Sequence, residues 1–384
     1  MKLKFGVIGA GGRGGVSHQA HQPDSDSYLV AAADVREQPL ERFKKKFGES
    51  CFVTKDYHEL LTRDVDAVFI CSPDYLHEEQ ALASLEAGKH VFLEKPMAIT
   101  IEGCDRILKK AKERNKKLYL GHNMRHMSFV RKMKDIVDSG TIGDVKSVWC
   151  RHFVGNGGDW YFKDWHADRK KSTSLLLQKA AHDIDVIHWI CDGFTEQVTA
   201  MGQLSVYGDL AQQSPGAGKN QGMDMGKWPP ETQRDFNPVV DVEDLSMMLM
   251  KLNNGILCSY QQCHFTPDNW RNYTILGTKG RIENFNDTPG QTVVRVWNER
   301  RCQYNSHGDH QYYIPSESGG HGGADPLMVN EFVAWIRGET SPSTSPIAAR
   351  YAVAAGCCAA DSLRNGSVPV SVPELTMTDS DYFE

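Results

Sequence analysis

The chain has 384 residues, of which 40% are hydrophobic and 24% charged, and its formal net charge is −6 at pH 7. This length favours two domains of an ordinary globular protein, and the acidic balance gives no reason to expect nucleic acid as a partner. No apolar run approaches the roughly 18 residues of a membrane span, and the ten cysteines form neither a zinc-binding pattern nor a disulfide framework. We therefore expect a cytoplasmic protein without membrane contact.

The first 123 residues alternate short apolar runs with amphipathic stretches. The predicted strands are Leu3–Ile8, Tyr28–Ala33, Cys51–Thr54, Ala67–Cys71, His90–Leu93 and Leu118–Gly121. The predicted helices between them include Pro39–Phe47, Tyr75–Ala87 and Ile101–Asn115. This alternation is typical of βαβ units and predicts an α/β domain with a parallel sheet over residues 1–123.

The pattern changes after residue 124, where longer strands follow one another without crossover helices. They are Val145–Phe153, Gln197–Tyr207, Leu245–Leu252, Gly255–His264, Arg271–Leu276 and Thr292–Trp297, and the predicted helices are Ser174–Cys191, Asp325–Arg337 and Ile347–Arg364. Asn253-Asn254-Gly255 is a strong hairpin signal. We predict an α+β domain over residues 124–384 with a large, mostly antiparallel sheet, whose last helix is a candidate to pack back on the first domain. The polar segment 208–240 is expected to be a lid, an interface arm or disordered.

A glycine-rich motif, Gly9-Ala10-Gly11-Gly12-Arg13-Gly14, directly follows the first predicted strand. This spacing and context are typical of the turn that binds the pyrophosphate of a dinucleotide, although glycine turns also occur for purely structural reasons. Asp34 ends the second strand, where an acid would bind the adenosine ribose and repel a 2′-phosphate. The motif therefore predicts NAD, and the nearby Arg36 weakens the preference over NADP.

Further candidate residues follow the later strands, at the sheet edge where ligands bind. Ser72-Pro73 ends the fourth strand, and His77 one turn later is either a ligand contact or a helix-surface residue. In Glu94-Lys95-Pro96, the lysine is placed to bond a substrate hydroxyl and help remove its proton, unless it is a surface lysine paired with Glu94. Asn123 follows the sixth strand.

Taken together, these motifs resemble the glucose–fructose oxidoreductase, inositol dehydrogenase and MocA (Gfo/Idh/MocA) family. The resemblance extends to Ala181-His182-Asp183-Ile184-Asp185, Val242-Glu243-Asp244 and Leu276-Gly277-Thr278-Lys279-Gly280. It implies a Rossmann domain followed by an α+β domain whose open sheet is used for oligomerisation, hence a homodimer or homotetramer. It also implies oxidation or reduction of a sugar or polyol carbon with NAD or NADP.

Carried over to this chain, the resemblance implies that Lys95 and His182 are catalytic. Many dehydrogenases of the family have an aspartate four residues before the histidine, and here that position is Gln178, which cannot accept a proton. His182, alone or with Lys95, would then carry the acid–base role. Because His182 lies among apolar residues, it could instead be a hydrogen-bonded core residue.

Several cations fall in segments that line the substrate cleft in the family. We expect Arg125, Arg151, His152, Trp165, Gln178, Lys179 and Asp183 to contact substrate. Their charge suggests an anionic sugar, held by arginine and lysine while tryptophan stacks on a sugar face. The alternative is that these cations pair with nearby aspartates.

Three functions follow from these observations. The leading hypothesis is an NAD-dependent dehydrogenase for a sugar or sugar derivative. The alternative is an NAD-dependent glycoside hydrolase, which oxidises transiently, eliminates, hydrates and reduces again without net NADH. A third possibility is a nucleotide-binding regulator, against which the presence of Lys95 and His182 argues. His307, His310 and His321 lack accompanying carboxylates, so no metal is expected.

Overall fold

The computed structural model describes residues 2–216, 222–376 and 382–383. By its contacts the chain forms two compact units. The first consists of Met1–His126, Gly319–Arg350 and Leu375–Glu384, and the second of Met127–Ser318 and Tyr351–Glu374. Strands and helices are numbered along the chain.

The first unit contains a six-stranded parallel sheet in the order β3-β2-β1-β4-β5-β6. Its strands are β1 (Leu3–Ile8), β2 (Ser27–Ala33), β3 (Phe52–Thr54), β4 (Ala67–Ile70), β5 (His90–Leu93) and β6 (Leu118–Leu120). Its helices are α1 (Glu37–Phe47), α2 (Tyr57–Leu61), α3 (His77–Glu86), α4 (Ile101–Glu113) and α11 (Ala324–Arg337). The predicted Rossmann arrangement is confirmed, because the strand order reverses beside β1 as in doubly wound folds.

The core of this unit explains why its strands read as continuous apolar runs. Every residue of β4 is buried, as expected for a strand that is covered on both faces. Phe5, Phe69, Phe92 and Tyr119 meet Phe332 of α11, with ring centroids 5.4–6.2 Å from the Phe332 ring. The return of the chain at 319–350 therefore completes the Rossmann core, whereas the sequence-based boundary at residue 123 assigned this segment to the second domain.

The second unit contains a nine-stranded sheet in the order β14-β13-β12-β11-β7-β10-β9-β8-β15. Its strands are β7 (Val145–Val154), β8 (Thr195–Gln203), β9 (Leu245–Leu252), β10 (Leu257–Cys263), β11 (Asn269–Gly277), β12 (Gly280–Phe285), β13 (Val293–Trp297), β14 (His310–Tyr313) and β15 (Val370–Ser371). All neighbours are antiparallel except β7 and β10, which confirms the mostly antiparallel sheet. Asn253-Asn254-Gly255 forms the predicted hairpin turn between β9 and β10, with Gly255 at φ +84°.

The helices of the second unit are mostly short. They are α5 (Ser128–Asp138), α6 (Gly157–Trp160), α7 (Arg169–Ser172), α8 (Leu175–Gln178), α9 (Ala181–Cys191) and α10 (Tyr207–Gln213), while α12 (Pro346–Arg364) contributes to both units. The single helix predicted over 174–191 is interrupted at Lys179 and Ala180, which keep right-handed helical dihedrals. The two pieces therefore continue nearly in line.

The polar segment predicted over 208–240 begins with part of α10 and contains a 3₁₀ turn, and its residues 217–221 lie outside the described part of the chain. Phe236 is fully buried and packs with Phe162, Leu175, Tyr207 and Val242 in a small satellite core. The described part of this segment is therefore anchored by apolar contacts at its C-terminal end, rather than being disordered throughout.

Candidate active site

The glycine-rich turn has the geometry that dinucleotide binding requires. Gly9 has φ +84°, and a Cβ on Gly14 would lie only 2.1 Å from the Gly9 carbonyl oxygen, so neither position accepts a side chain. Gly12 is exposed, and a Cβ there would meet nothing within 4 Å. The backbone at the end of β1 is thus open to a pyrophosphate, and these residues fit the cofactor that the sequence predicts.

Asp34 connects the end of β2 to this turn. Its buried carboxylate accepts hydrogen bonds from the Gly11 N–H (2.9 Å) and the Arg36 N–H (3.0 Å). A third donor, Arg36 Nε, lies 3.3 Å from Oδ1. Because a carboxylate offers about four acceptor positions, Asp34 can still accept a ribose hydroxyl. The exposed Arg36 side chain lies against Gly11, where a Cβ would come within 2.1 Å of Nη2.

Arg13 was predicted to bind the cofactor, but in the structure its side chain bonds protein carboxylates. Its Nε donates to Glu94 Oε1 (2.7 Å), and its two terminal nitrogens donate to Asp325 (2.7 and 3.0 Å). Asn123 Nδ2 also donates to Asp325 (3.0 Å). Although burial alone would lower the pKa of Arg13, Glu94 and Asp325 raise it above its ordinary value. Arg13 therefore joins protein carboxylates, and Asp325 is a member of this network that the sequence did not reveal.

His77 connects two loops at the same sheet edge, and is neither a surface residue nor directed at a cofactor. It is fully buried, with Nδ1 2.7 Å from the Pro96 carbonyl oxygen and Nε2 2.9 Å from the Ser72 carbonyl oxygen. Burial lowers its pKa. The loop Ser72-Pro73 after β4 is thereby tied to the loop that carries Lys95, which is partly buried at the carboxyl end of β5.

In the second unit, the stretch from Ser174 to His188 is buried except at two positions. Only Lys179 and His182 are partly exposed in it. They are three residues apart, Lys179 at the junction between α8 and α9 and His182 in the first turn of α9. Gln178, beside them, is 6% exposed. Two titratable side chains thus emerge together from an otherwise buried segment.

Asp183 is fully buried and fastens α9 to the sheet. Its carboxylate accepts from Arg271 Nε (3.1 Å), Tyr260 Oη (3.2 Å) and Tyr273 Oη, and lies 3.1 Å from His152 Nδ1. Burial alone would raise the pKa of Asp183, but Arg271 and then His152 hold it well below its ordinary value. An enclosed carboxylate cannot contact substrate, so this position differs from the role predicted for Asp183.

Burial and the neighbouring charges of Arg271 and Asp183 together shift the pKa of Lys179. Burial, and then the charge of Arg271, lowers the pKa of Lys179 to about 7, while Asp183 and Asp287 oppose the shift. Burial and Arg271 likewise lower the pKa of His152 to about 3. At neutral pH His152 is therefore uncharged, and Lys179 is close to half protonated.

Partly exposed aromatic rings lie beside Lys179. Its Nζ is 5.2 Å from the Tyr161 ring centroid, the Tyr161 and His166 rings are 5.1 Å apart, and His166 stacks on Trp165 at 3.8 Å. These flat surfaces suit the apolar face of a sugar ring. Trp165 is thus connected to Lys179 through the rings of His166 and Tyr161.

Two residues predicted to contact substrate, Arg151 and Arg125, bond protein groups instead. Arg151 and His152 are consecutive in β7 and point to opposite sheet faces, because side chains alternate along a strand. Arg151 bonds Asn272 Oδ1 (3.1 Å from Nε) and lines an outer-face cavity of about 640 Å³ with Trp149 and Gln261. Arg125 is buried in the first unit and donates to the Ser343 carbonyl oxygen (2.8 Å).

Among the described residues, no group of three or more His, Cys, Asp or Glu side chains is placed to hold a metal ion. In the same part of the chain, no helix is both long and apolar enough to cross a membrane.

Several known proteins are similar in sequence. YteT of Bacillus subtilis is 26% identical over 75% of this chain and 78% of its own length. Myo-inositol 2-dehydrogenase of Thermotoga maritima is 33% identical over 53% of this chain and 59% of its own. Glucose-6-phosphate 3-dehydrogenase of Bacillus subtilis is 31% identical over 51% and 57%. The chain thus spans less than two thirds of these two dehydrogenases.

Solved structures share the fold over nearly the whole chain. Levoglucosan dehydrogenase in complex with NADH and levoglucosan superposes with a TM-score of 0.79 at 21% identity, covering 97% of this chain and 100% of that one. The WlbA dehydrogenase of Bordetella pertussis, in complex with NADH and UDP-GlcNAcA, gives a TM-score of 0.73 at 19% identity, with coverage of 97% and 98%.

Two family models match in succession. The oxidoreductase family, NAD-binding Rossmann fold, matches residues 3–122, and the C-terminal alpha/beta domain of the same family matches residues 134–372. The resemblance inferred from the motifs is thereby confirmed. With its glycine turn and Asp34 in place, the chain belongs to the Gfo/Idh/MocA family of NAD-dependent oxidoreductases.

Proposed function

We propose that this protein is an NAD-dependent dehydrogenase that interconverts a hydroxyl and a carbonyl group on a sugar or sugar derivative. The observation that carries the proposal is the joint emergence of Lys179 and His182 from an otherwise buried segment, beside partly exposed aromatic rings. Inositol, glucose 6-phosphate and levoglucosan dehydrogenases among its relatives and structural neighbours support a polyol or sugar substrate.

The first unit supplies the cofactor site. Gly9, Gly11, Gly12 and Gly14 would hold the pyrophosphate through backbone N–H groups, and Asp34 would accept the adenosine ribose hydroxyls. NAD, when bound, takes up the hydride that leaves the substrate carbon. The anionic, buried Asp34 favours NAD over NADP because it would repel a 2′-phosphate.

Proton transfer is assigned to Lys95 and His182. A hydroxyl loses its proton as the hydride leaves, so a basic nitrogen within hydrogen-bond reach lowers the barrier. Lys95 is held at the end of β5 by a loop that His77 fixes, and His182 is partly exposed on α9. Gln178 cannot take part in proton transfer, so the two basic residues carry it.

Lys179 gives the site its preference for an anionic sugar. Among the described residues it forms no ion pair, because Asp183 is already occupied by Arg271 and three other side chains. A protonated lysine beside aromatic rings suits a carboxylate or phosphate on the sugar. Two similar proteins, a glucose-6-phosphate 3-dehydrogenase and a dehydrogenase crystallised with UDP-GlcNAcA, support this assignment.

A panel of sugars tests the activity. Purified protein and NAD are mixed with neutral sugars, sugar acids, sugar phosphates and the corresponding aryl glycosides, while NADH and released aglycone are followed together. We expect stoichiometric NADH from a free sugar or sugar acid. Release of aglycone that needs NAD but accumulates no NADH would overturn the dehydrogenase in favour of the redox-cycling hydrolase.

Two substitutions test the proton-transfer assignment. Lys95→Met and His182→Asn should each lower kcat about 10²- to 10⁴-fold, while the dissociation constant for NADH stays near the wild-type value. Lys109→Met, at a lysine whose side chain is 74% exposed on α4, is the matched control. Unchanged kcat in both active-site variants would overturn the assignment of proton transfer to Lys95 and His182.

We also propose that the protein is a cytoplasmic homodimer or homotetramer. Eight of the ten cysteines are buried as thiols, which suits a reducing compartment. Trp149, Met247, Leu249 and Leu257 are 47–64% exposed on one face of the nine-stranded sheet, and such a patch favours association. Light scattering after gel filtration should give two or four chains, and Leu249→Glu should shift the mass towards the monomer.

A further inference from the structure

The histidine of the Gly319-Gly320-His321-Gly322-Gly323 loop has no part in the proposed proton transfer. The loop immediately precedes α11, and His321 itself has a positive φ of 51°, which a residue with a side chain seldom adopts. A Cβ on Gly320 would lie 2.5 Å from Asp325 Oδ2, so the close approach of loop and carboxylate needs glycine there. This conformation presents the imidazole beside Asp325.

Asp325 fixes the orientation of the imidazole. His321 Nδ1 lies 2.8 Å from Asp325 Oδ2 and 3.4 Å from Arg13 Nη1. Because a carboxylate only accepts and its contact is much the shorter of the two, Nδ1 carries the hydrogen. Nε2 is then the acceptor nitrogen of the neutral ring, and it forms no hydrogen bond with any described residue. The side chain is 52% exposed, so Nε2 is available to a ligand.

The hydrogen-bond network around Asp325 locates His321 along the cofactor site. Arg13, which bonds Asp325, follows β1 and also bonds Glu94 at the end of β5, and Asn123 follows β6. Asp34, at the end of β2, marks the adenosine side. Since the sheet runs β3-β2-β1-β4-β5-β6, the network lies on the opposite side, where the second ribose of a dinucleotide would lie.

The charges of Arg13, Glu94 and Asp325 determine which chemical group His321 can bind. Glu94 and Asp325 carry two negative charges and Arg13 one positive charge, so the cluster is net anionic and disfavours a phosphate. A neutral acceptor nitrogen suits a hydroxyl. Resting on the proposed NAD site, we infer that His321 Nε2 accepts a hydrogen bond from a hydroxyl of the nicotinamide-side ribose.

Cofactor fragments test this assignment by binding alone. Dissociation constants for ADP, ADP-ribose and NADH are measured by calorimetry on the full chain, for wild type, His321→Ala and the control His307→Ala, an exposed histidine of the second unit. One hydrogen bond corresponds to about a three- to tenfold change. We expect His321→Ala to weaken ADP-ribose and NADH by this factor and to leave ADP unchanged.

Two results would overturn the inference. Equal affinities of wild type and His321→Ala for all three ligands would show that His321 does not contact the cofactor. Weaker binding of ADP as well would place the contact at the pyrophosphate. Failure of the wild-type protein to bind NADH at all would instead refute the proposed function, so the two failures are distinguishable. Thermal unfolding of each variant confirms that the exposed substitution leaves the fold intact.

Discussion

An arginine–aspartate pair lies beside the candidate site residues of each unit, and the two pairs differ in how far they are buried. In the first unit, Arg13 bonds Asp325 with both terminal nitrogens, and the side chains are 30% and 10% exposed. In the second, Arg271 bonds Asp183 with Nε at 3.1 Å, and the exposures are 16% and 0%. We call Arg13–Asp325 the open pair and Arg271–Asp183 the closed pair. In the open pair, Asp325 also bonds the half-exposed His321, whereas in the closed pair the Asp183 carboxylate has no access to solvent.

The difference shows how one interaction serves two purposes. Asp183 is surrounded by protein donors, so its charge stabilises the contact between α9 and the sheet and also favours the protonated forms of His152 and Lys179. Asp325 also bonds His321 and Asn123, which lie at the sheet edge where the cofactor is proposed to bind. The fully buried Asp183 thus stabilises the fold, whereas the less buried Asp325 positions the groups that are proposed to contact ligand.

The largest expected effect is the loss of the enclosed carboxylate. Asp183→Asn removes the closer of the two carboxylates beside Arg271 and leaves only Asp287, 3.8 Å away. Breaking a buried pair in this way costs about 3–5 kcal/mol. The pKa of Asp183 is depressed, so its stabilisation is complete above the unfolded-state value of about 4 and is lost as the pH falls below it. Urea denaturation at pH 7 measures the loss. A cost below 1 kcal/mol would contradict the enclosure argument.

The next effect concerns Lys179, whose pKa of about 7 depends on Arg271 beside it. Between pH 6 and pH 8 its protonated fraction falls from about nine tenths to one tenth, so kcat/KM for an anionic sugar should fall about tenfold relative to a neutral one. Lys179→Arg, which stays charged, should abolish this difference. The ratio of kcat/KM for the anionic sugar to kcat/KM for the neutral sugar cancels any pH dependence that the two reactions share. A ratio independent of pH in the wild-type enzyme would show that Lys179 does not bind the anion.

A smaller effect is expected at the open pair. Asp325→Asn keeps the shape of the side chain but removes the charge that orients His321 and holds Arg13. The dissociation constant for NADH should rise about three- to tenfold. The loss of stability should be about 1 kcal/mol, well below that of Asp183→Asn. Fluorescence titration and urea denaturation measure both in the same sample. Equal destabilisation by the two substitutions would erase the distinction between the pairs.

The sequence was sufficient for features that depend on local pattern. The bounds of β1, β5 and β9 follow from apolar runs and alternation, and the glycine turn and Asp34 follow from their spacing. β14, with exposed ends, and the two-residue β15 have no such pattern and were missed. The bond between Arg13 and Asp325 spans 312 residues, and no local signal announces it. The burial of Asp183 likewise arises from tertiary packing.

The opposite directions of Arg151 and His152 could have been read from the sequence, because the strand period of two requires them. Substitution of Arg151 is therefore expected to have the smallest effect on activity. Arg151→Gln should change KM for an anionic sugar less than twofold, since Arg151 lies on the outer sheet face with Trp149 and Asn272. Lys179→Gln, measured alongside, should raise that KM about tenfold, the factor expected for losing one charge-assisted hydrogen bond. Should Arg151→Gln raise KM as much as Lys179→Gln, the substrate would bind on the outer face, and the site would have to be sought around Trp149 instead of α9.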